Sequence, residues 1–377
     1  MIDNEYLTQG GTYVFRQLAE WVEGYRFSHS DVEVLDMGIG DVVYPVAPSV
    51  AAAMADAASE MAVADTFCGY PPTTGRPRAV NAVRRYYATM DVDDVCVSVG
   101  SGAKEELFAW CHILSKDVPA LLSRPCYPAY VDANRLMGRR IVWAEGQFGR
   151  MATPRDIPYG RYVIYLCSPN NPTGYTYTLR ELAEWVDFAL DTHSLILFDA
   201  AYAAWVYPYS IFHVRGAERC AVEIGTLSKS ASFSGLRFGW SAVGRQCMAG
   251  DAFRAYCRYK AVSSNGVSYV VERGAEAALQ EDGMRHTRVL VERYRAAATV
   301  VAFHLRELGV PSEAGPYVWA HLPLGLTART ILDKVGLVVT PGTAFGSTED
   351  YVRLSVLGVA GRIAAVQSRL RALFANA

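Results

Sequence analysis

Five apolar runs in this chain share one habit, and it limits what the chain can fold into. They are Val95–Val99, Ala120–Ser123, Tyr162–Cys167, Leu195–Phe198 and Ala221–Thr226. Each is short and mostly apolar, and each runs straight into a polar or turn-forming segment. Those segments are Gly100-Ser101-Gly102-Ala103-Lys104, Pro125-Cys126-Tyr127-Pro128, Ser168-Pro169-Asn170-Asn171-Pro172-Thr173-Gly174, Asp199-Ala200-Ala201-Tyr202 and Leu227-Ser228-Lys229. Helical stretches such as Thr178–Leu190 separate the runs. Buried strands alternating with helices predict a mostly parallel sheet with helices on its faces, and such sheets bind ligands beyond the carboxyl ends of their strands. Ser101, Tyr127, Asn171, Asp199 and Lys229 are therefore expected around one crevice.

Length and charge narrow the class. A chain of 377 residues suits a large domain with a smaller one. Apolar residues make up 51% and charged residues 20%, as expected of a well-buried globule. A net charge of −2 gives no electrostatic reason to expect nucleic acid or an anionic membrane. The eight cysteines are scattered without a CxxC pair, which points to reduced thiols rather than a disulfide framework or a metal site. Met1–Gly11 is polar and acidic, unlike a signal peptide. No apolar run approaches the ~20 residues that span a bilayer. A cytoplasmic protein is expected.

Along the chain, residues 12–27 form an amphipathic helix, with Val14, Leu18, Trp21, Val22 and Tyr25 on one stripe. Val34–Asp36 is a short strand entering the turn Gly38-Ile39-Gly40-Asp41. Pro48 opens an Ala-rich helix to about Ala64, and Gly69–Pro77 is an irregular loop. Ala79–Met90 and Glu105–Ser115 are helices, the latter preceded by a glycine turn suited to an anion. From Phe253 long helices dominate (253–260, Tyr269–Gln280, His286–Leu308), broken at Ser263-Ser264-Asn265-Gly266. Short strands follow at Tyr317–His321, Leu337–Val339 and Tyr351–Ser355, then a helix at Arg362–Phe374. We expect residues 1–45 to pack with a small α+β domain at 286–377, 46–250 to form the large domain, and 251–285 to be a helical bridge.

The chemistry is concentrated at Glu223–Trp240. Lys229 stands between two hydroxyls, Ser228 and Ser230, with Thr226 before them and Arg237 after. A lysine among small polar residues suits an amine that attacks a carbonyl; hydroxyls and a fixed arginine suit a phosphate. Pyridoxal phosphate (PLP) requires both. Taken alone, each residue has a plainer role. Lys229 could be a surface lysine, Asp199 a helix N-cap, Asn171 a turn residue, Tyr127 core packing and Arg353 an edge-strand arginine.

Ser168-Pro-Asn-Asn-Pro-Thr-Gly174, Asp199-Ala-Ala-Tyr202 and Ser228-Lys229 with Arg237 resemble the fold-type I PLP aminotransferases of class I/II. Gly38-Ile-Gly-Asp41, Gly69-Tyr70 with Gly75, Gly102-Ala-Lys104, Asn265-Gly266, Gly315-Pro-Tyr-Val-Trp319 and Thr340-Pro-Gly342 are similar to the LL-diaminopimelate aminotransferases. The likeness runs from about Tyr13 to Arg362. It implies an α/β fold-type I transferase and a homodimer with shared sites. By the same resemblance Lys229 would hold PLP covalently and carry the α-proton. Asp199 would pair with the pyridine nitrogen, Asn171 and Tyr202 with the ring oxygen, and Tyr127 would stack on the ring. Ala103, Lys104, Thr226, Ser228 and Arg237 would take the phosphate, with Tyr70 reaching it from the partner. Arg353 would clamp the substrate carboxylate, near Tyr13, Gly40 and Asn265.

The likeness breaks at one place. Where the family usually carries an acid for a distal ammonium, this chain has Thr73. The resemblance therefore implies an aminotransferase using an amino acid and a 2-oxo acid (glutamate and 2-oxoglutarate as the exchange pair), with changed distal specificity. A PLP enzyme of the same fold performing β-elimination, replacement or cyclisation is the alternative. A PLP-binding regulator ranks third, since no DNA-binding helix-turn-helix precedes Tyr13.

Overall fold

The structure, a computed structural model, describes residues 14–375. Tyr13 lies outside the described residues. The chain enters through the helix Val14–Ser28, which buries Leu18, Val22 and Tyr25 against Leu332 and Val338 near the other end of the sequence. A two-residue strand, β1 (Leu35–Asp36), follows.

The larger sheet is made of β2 (Val95–Gly100), β3 (Ala120–Arg124), β4 (Ile141–Glu145), β5 (Val163–Cys167), β6 (Leu195–Asp199), β7 (Ala221–Thr226) and β8 (Gly239–Gly244). Their order is β2-β8-β7-β6-β5-β3-β4. All neighbours are parallel except β8, which runs antiparallel to both β2 and β7. Successive side chains of a strand point to opposite faces. Val163, Tyr165 and Cys167 thus join Leu107 and Trp110 in one core, while Ile164 and Leu166 join Trp185 and Phe198 in another. Helices cover both faces, so the strands read as continuous apolar runs.

The helix Leu179–Asp191 shows how local chemistry sets a boundary. Thr178 caps it through Glu181 N–H while the Glu181 carboxylate accepts from Thr178 N–H, a reciprocal pair that satisfies two otherwise open donors.

C-terminal strands β9 (Ser312–Ala314), β10 (Val318–His321), β12 (Thr340–Pro341) and β13 (Tyr351–Leu354) form a four-stranded antiparallel sheet in the order β12-β13-β10-β9. β11 (Leu337–Val338) pairs in parallel with β1. The long helix Glu281–Glu307 packs on this unit through Ala298, Val301 and Leu305.

Several elements differ from the sequence reading. The helix expected at Glu105–Ser115 begins at Ala103 and ends at Ile113, and the one from Pro48 stops at Glu60. Strand β8 was not anticipated. Its ends are glycines, which signal a turn, but here they answer crowding. A Cβ on Gly239 would sit 2.7 Å from the Gly102 Cα, and one on Gly244 would sit 2.2 Å from the Glu218 carbonyl. Strand β4 and the helices Pro128–Leu136 and Ala328–Val335 were likewise not foreseen. All eight cysteines are free. Among the described residues no helix is long and apolar enough to cross a membrane, and no His/Cys/Asp/Glu cluster could hold a metal.

Candidate active site

The carboxyl ends of β3, β5, β6 and β7 open onto a cavity of about 430 Å³. Tyr127, Asn171, Asp199, Tyr202, Thr226, Ser228, Lys229 and Arg237 line it, with Ala103 and Lys104 on one side and Gly40 and Arg353 on the other. Ser101 does not; the chain turns at Gly102 and presents Ala103 and Lys104 instead. A second hollow, about 520 Å³, includes Val163 and Leu195 at the opposite ends of β5 and β6, and gathers none of these reactive groups.

One corner is built for an anion. The helix Ala103–Ile113 starts at Gly102 with no side-chain cap, so its first N–H groups and the positive end of its dipole stay available. The Arg237 guanidinium lies over that start: a Cβ on Gly102 would be 2.4 Å from its Nη2. Arg237 is held by the Ser234 carbonyl at 2.8 Å and the Ser228 hydroxyl at 3.4 Å. Its backbone takes φ +65°, the left-handed region, which costs a residue with a Cβ roughly 1–2 kcal/mol. Thr226 and Ser228 share a hydroxyl contact of 2.9 Å at the same corner.

At the centre, Lys229 Nζ donates to the Gly40 carbonyl at 2.5 Å. Burial pushes its pKa down to about 8; Asp41 opposes the shift, and Arg353, Arg237 and Lys104 add to it. A partly neutral amine near physiological pH is what a nucleophile requires. Opposite stands Asp199, buried at 8% exposure, accepting from the Tyr130 hydroxyl at 2.6 Å and from Ala201 N–H at 3.0 Å. Burial raises its pKa, and these two donors pull the other way. Neither donor carries charge. A buried carboxylate with only neutral partners gains from a cation set against it.

The substrate side is organised by Arg353, on β13 and 1% exposed. It donates to Asn171 Oδ1 at 2.9 Å, the Gly38 carbonyl at 2.6 Å and Thr340 Oγ1 at 3.3 Å. Its guanidinium lies 4.3 Å from the Tyr317 ring centroid and 4.9 Å from that of Phe345.

Tyr70, Thr73 and Asn265 do not line this cavity. All three are exposed, Tyr70 at 84%. Their loops touch: a Cβ on Gly266 would be 2.5 Å from Pro71 Cγ. Arg76 ties the first loop down, pairing with Glu272 at 2.9 Å and donating to the Gly69 carbonyl at 2.5 Å. Sequence reasoning gave no site role to Tyr130 or Tyr317. Tyr130 lies in the first turn of the helix Pro128–Leu136, which Tyr127 caps, and the two rings meet edge to face at 5.5 Å. Tyr317 sat inside the motif Gly315–Trp319 with no spacing to mark it.

The arrangement fits PLP. It offers a nucleophilic amine, an anion corner for phosphate and a buried carboxylate for a protonated pyridine. The model of the family described as aminotransferase class I and II matches residues 32–366. This chain belongs to that family. An LL-diaminopimelate aminotransferase of Parabacteroides distasonis is 34% identical, with 98% of each chain covered. That of Bacteroides thetaiotaomicron is 33% identical, covering 95% of this chain and 96% of its own. The solved L,L-diaminopimelate aminotransferase from Chlamydomonas reinhardtii has a TM-score of 0.91 at 26% identity, with 99% of each chain covered. The enzyme is a fold-type I PLP-dependent aminotransferase, and its substrates are an amino acid and a 2-oxo acid.

Proposed function

We propose that this aminotransferase exchanges an amino group between a polar L-amino acid and a 2-oxo acid, with glutamate and 2-oxoglutarate as the exchange pair. Its distal specificity would differ from that of its LL-diaminopimelate aminotransferase relatives. The observation that carries the reading is the pairing of Arg353 with Asn171 in the cavity that holds Lys229. A guanidinium there can exchange its amide and carbonyl partners for an α-carboxylate, placing the α-carbon near the lysine amine.

Bound PLP supplies an electron sink for a carbanion at that carbon. The chain's own residues do the rest. Lys229, with its lowered pKa, takes the α-proton and returns it. Asp199, steadied by Tyr130, would keep a proton on the pyridine nitrogen, Asn171 and Tyr202 would donate to the ring oxygen, and Tyr127 would pack on the ring. Ala103, Lys104, Thr226, Ser228 and Arg237 would hold the phosphate.

Tyr70, Thr73 and Asn265 belong to the same proposal as residues that complete the site of a second copy in a homodimer. Their shared exposure supports this. A threonine at position 73 presents no charge to a distal ammonium. Losing a charge-assisted hydrogen bond of roughly 1.5–3 kcal/mol corresponds to about 10- to 150-fold in kcat/KM. The test is kcat/KM for LL-diaminopimelate beside a panel of polar amino acids. LL-diaminopimelate should rank low, and Thr73→Glu should raise it without changing the others. A clear lead for LL-diaminopimelate in the native enzyme would overturn the specificity reading.

A further inference from the structure

We propose that Tyr317 is a positioning residue that orients two groups of the reacting centre at once: the Tyr202 hydroxyl and the Arg353 guanidinium. The inference rests on the cofactor reading above and concerns a residue to which that reading gives no part.

Tyr317 precedes β10, is 1% exposed and lines the cavity. Its hydroxyl lies 2.5 Å from the hydroxyl of Tyr202. Each phenol owns one proton, so within the pair only one can donate to the other. When Tyr202 donates its hydrogen bond to an anionic oxygen in the cavity, Tyr317 must be the donor to Tyr202. A phenol that accepts a hydrogen bond becomes a better donor itself. Tyr317 would therefore fix the direction of the Tyr202 proton and strengthen what Tyr202 donates.

The ring does separate work. With Phe345 it lines the slot that holds Arg353, the two ring centroids lying 4.3 Å (Tyr317) and 4.9 Å (Phe345) from the guanidinium carbon. Arg353 then reaches Asn171 in a fixed plane. Gly40 shows how closely the hydroxyl is held, since a Cβ there would lie 2.2 Å from it. The ionisable groups that act on Tyr317 are Tyr202, Arg353, Cys167 and Asp199, and the cavity adds Lys229 and Asp41.

Hydroxyl and ring can be separated by substitution. In PLP-loaded enzyme, Tyr317→Phe keeps the slot and removes the donor. A weaker Tyr202 donor favours the anionic ring oxygen less, so the pH midpoint of the bound cofactor's visible absorption should rise by roughly half to one unit. The KM for the amino donor should change less than about threefold. Tyr317→Leu removes both, and should also raise that KM, and the Ki of a dicarboxylate inhibitor, by roughly tenfold or more. A midpoint unmoved in Tyr317→Phe overturns the inference. A wild-type protein that retains no PLP at Lys229 after borohydride reduction would instead sink the cofactor reading itself.

Discussion

Asp199 and Tyr70 stand for two surfaces made in different ways. Asp199 ends a strand buried on both faces, is 8% exposed and has a named donor for each carboxylate oxygen. Tyr70 lies on a loop of prolines and glycines and is 84% exposed. The floor of the site is over-determined by the sheet beneath it, so its side chains have little choice of rotamer. The 69–75 loop is fastened at one end, through Arg76 and through the Thr74 carbonyl, which accepts from Val99 N–H at 3.0 Å, while Tyr70 and Thr73 look outward. Chemistry that must be the same for every substrate belongs on the first surface. Recognition that differs between enzymes, or is shared between subunits, suits the second.

Substitutions should separate the two surfaces by size of effect. Lys229→Ala should abolish borohydride labelling and cut turnover by at least ~10²–10⁴-fold, because it removes the amine that would carry the α-proton. In the native apoenzyme, the rate of covalent PLP capture should climb with pH through about 8 and level off above it, since burial lowers the amine's pKa to about 8. A rise that came only near the ordinary lysine value would contradict that placement.

Tyr130→Phe acts one contact further away. It removes the 2.6 Å bond to Asp199 and should cost roughly tenfold in kcat. Tyr130 holds the Asp199 pKa down, so its loss raises that pKa. The acid limb of the kcat profile should accordingly move to higher pH. An unmoved limb would separate Tyr130 from the reaction.

Tyr70→Phe should cost least, about fivefold for one hydrogen bond. Its value lies in mixing. Combined with Lys229→Ala chains it should regenerate one site per mixed dimer that holds both native residues, and activity should recover. An active monomer in sedimentation would show that the outer loops serve no second copy.

Much of the floor was legible because a strand buried on both faces leaves a continuous apolar run, and the first polar residue after it marks the sheet's edge. Asp199 was found in this way, and Asn171 and Lys229 in the polar segments that begin at Ser168 and Ser228. Ser101 was misplaced because the same rule cannot see that the glycine turn carries the chain on to Ala103 before it meets the cavity. Tyr317 was not legible at all. Its meaning comes from Tyr202, Gly40 and Arg353, each far away in sequence, and no local pattern records such a meeting. Strand β8 was hidden for a related reason: its terminal glycines answer to Gly102 and Glu218 in space, not to a turn in the chain.

The reversed direction of β8 has a consequence of its own. Its neighbours reach the ligand edge as they finish, whereas β8 leaves that edge as it begins. The segment between Thr226 and Gly239, which are register partners, is therefore a loop already tied at its neck. Lys229 and Arg237 both sit on it. Most of the entropy of closing the loop is spent when the sheet forms, and a ligand arriving later need not spend it again. The two grips on the cofactor would then keep a fixed span, whatever the C-terminal sheet does.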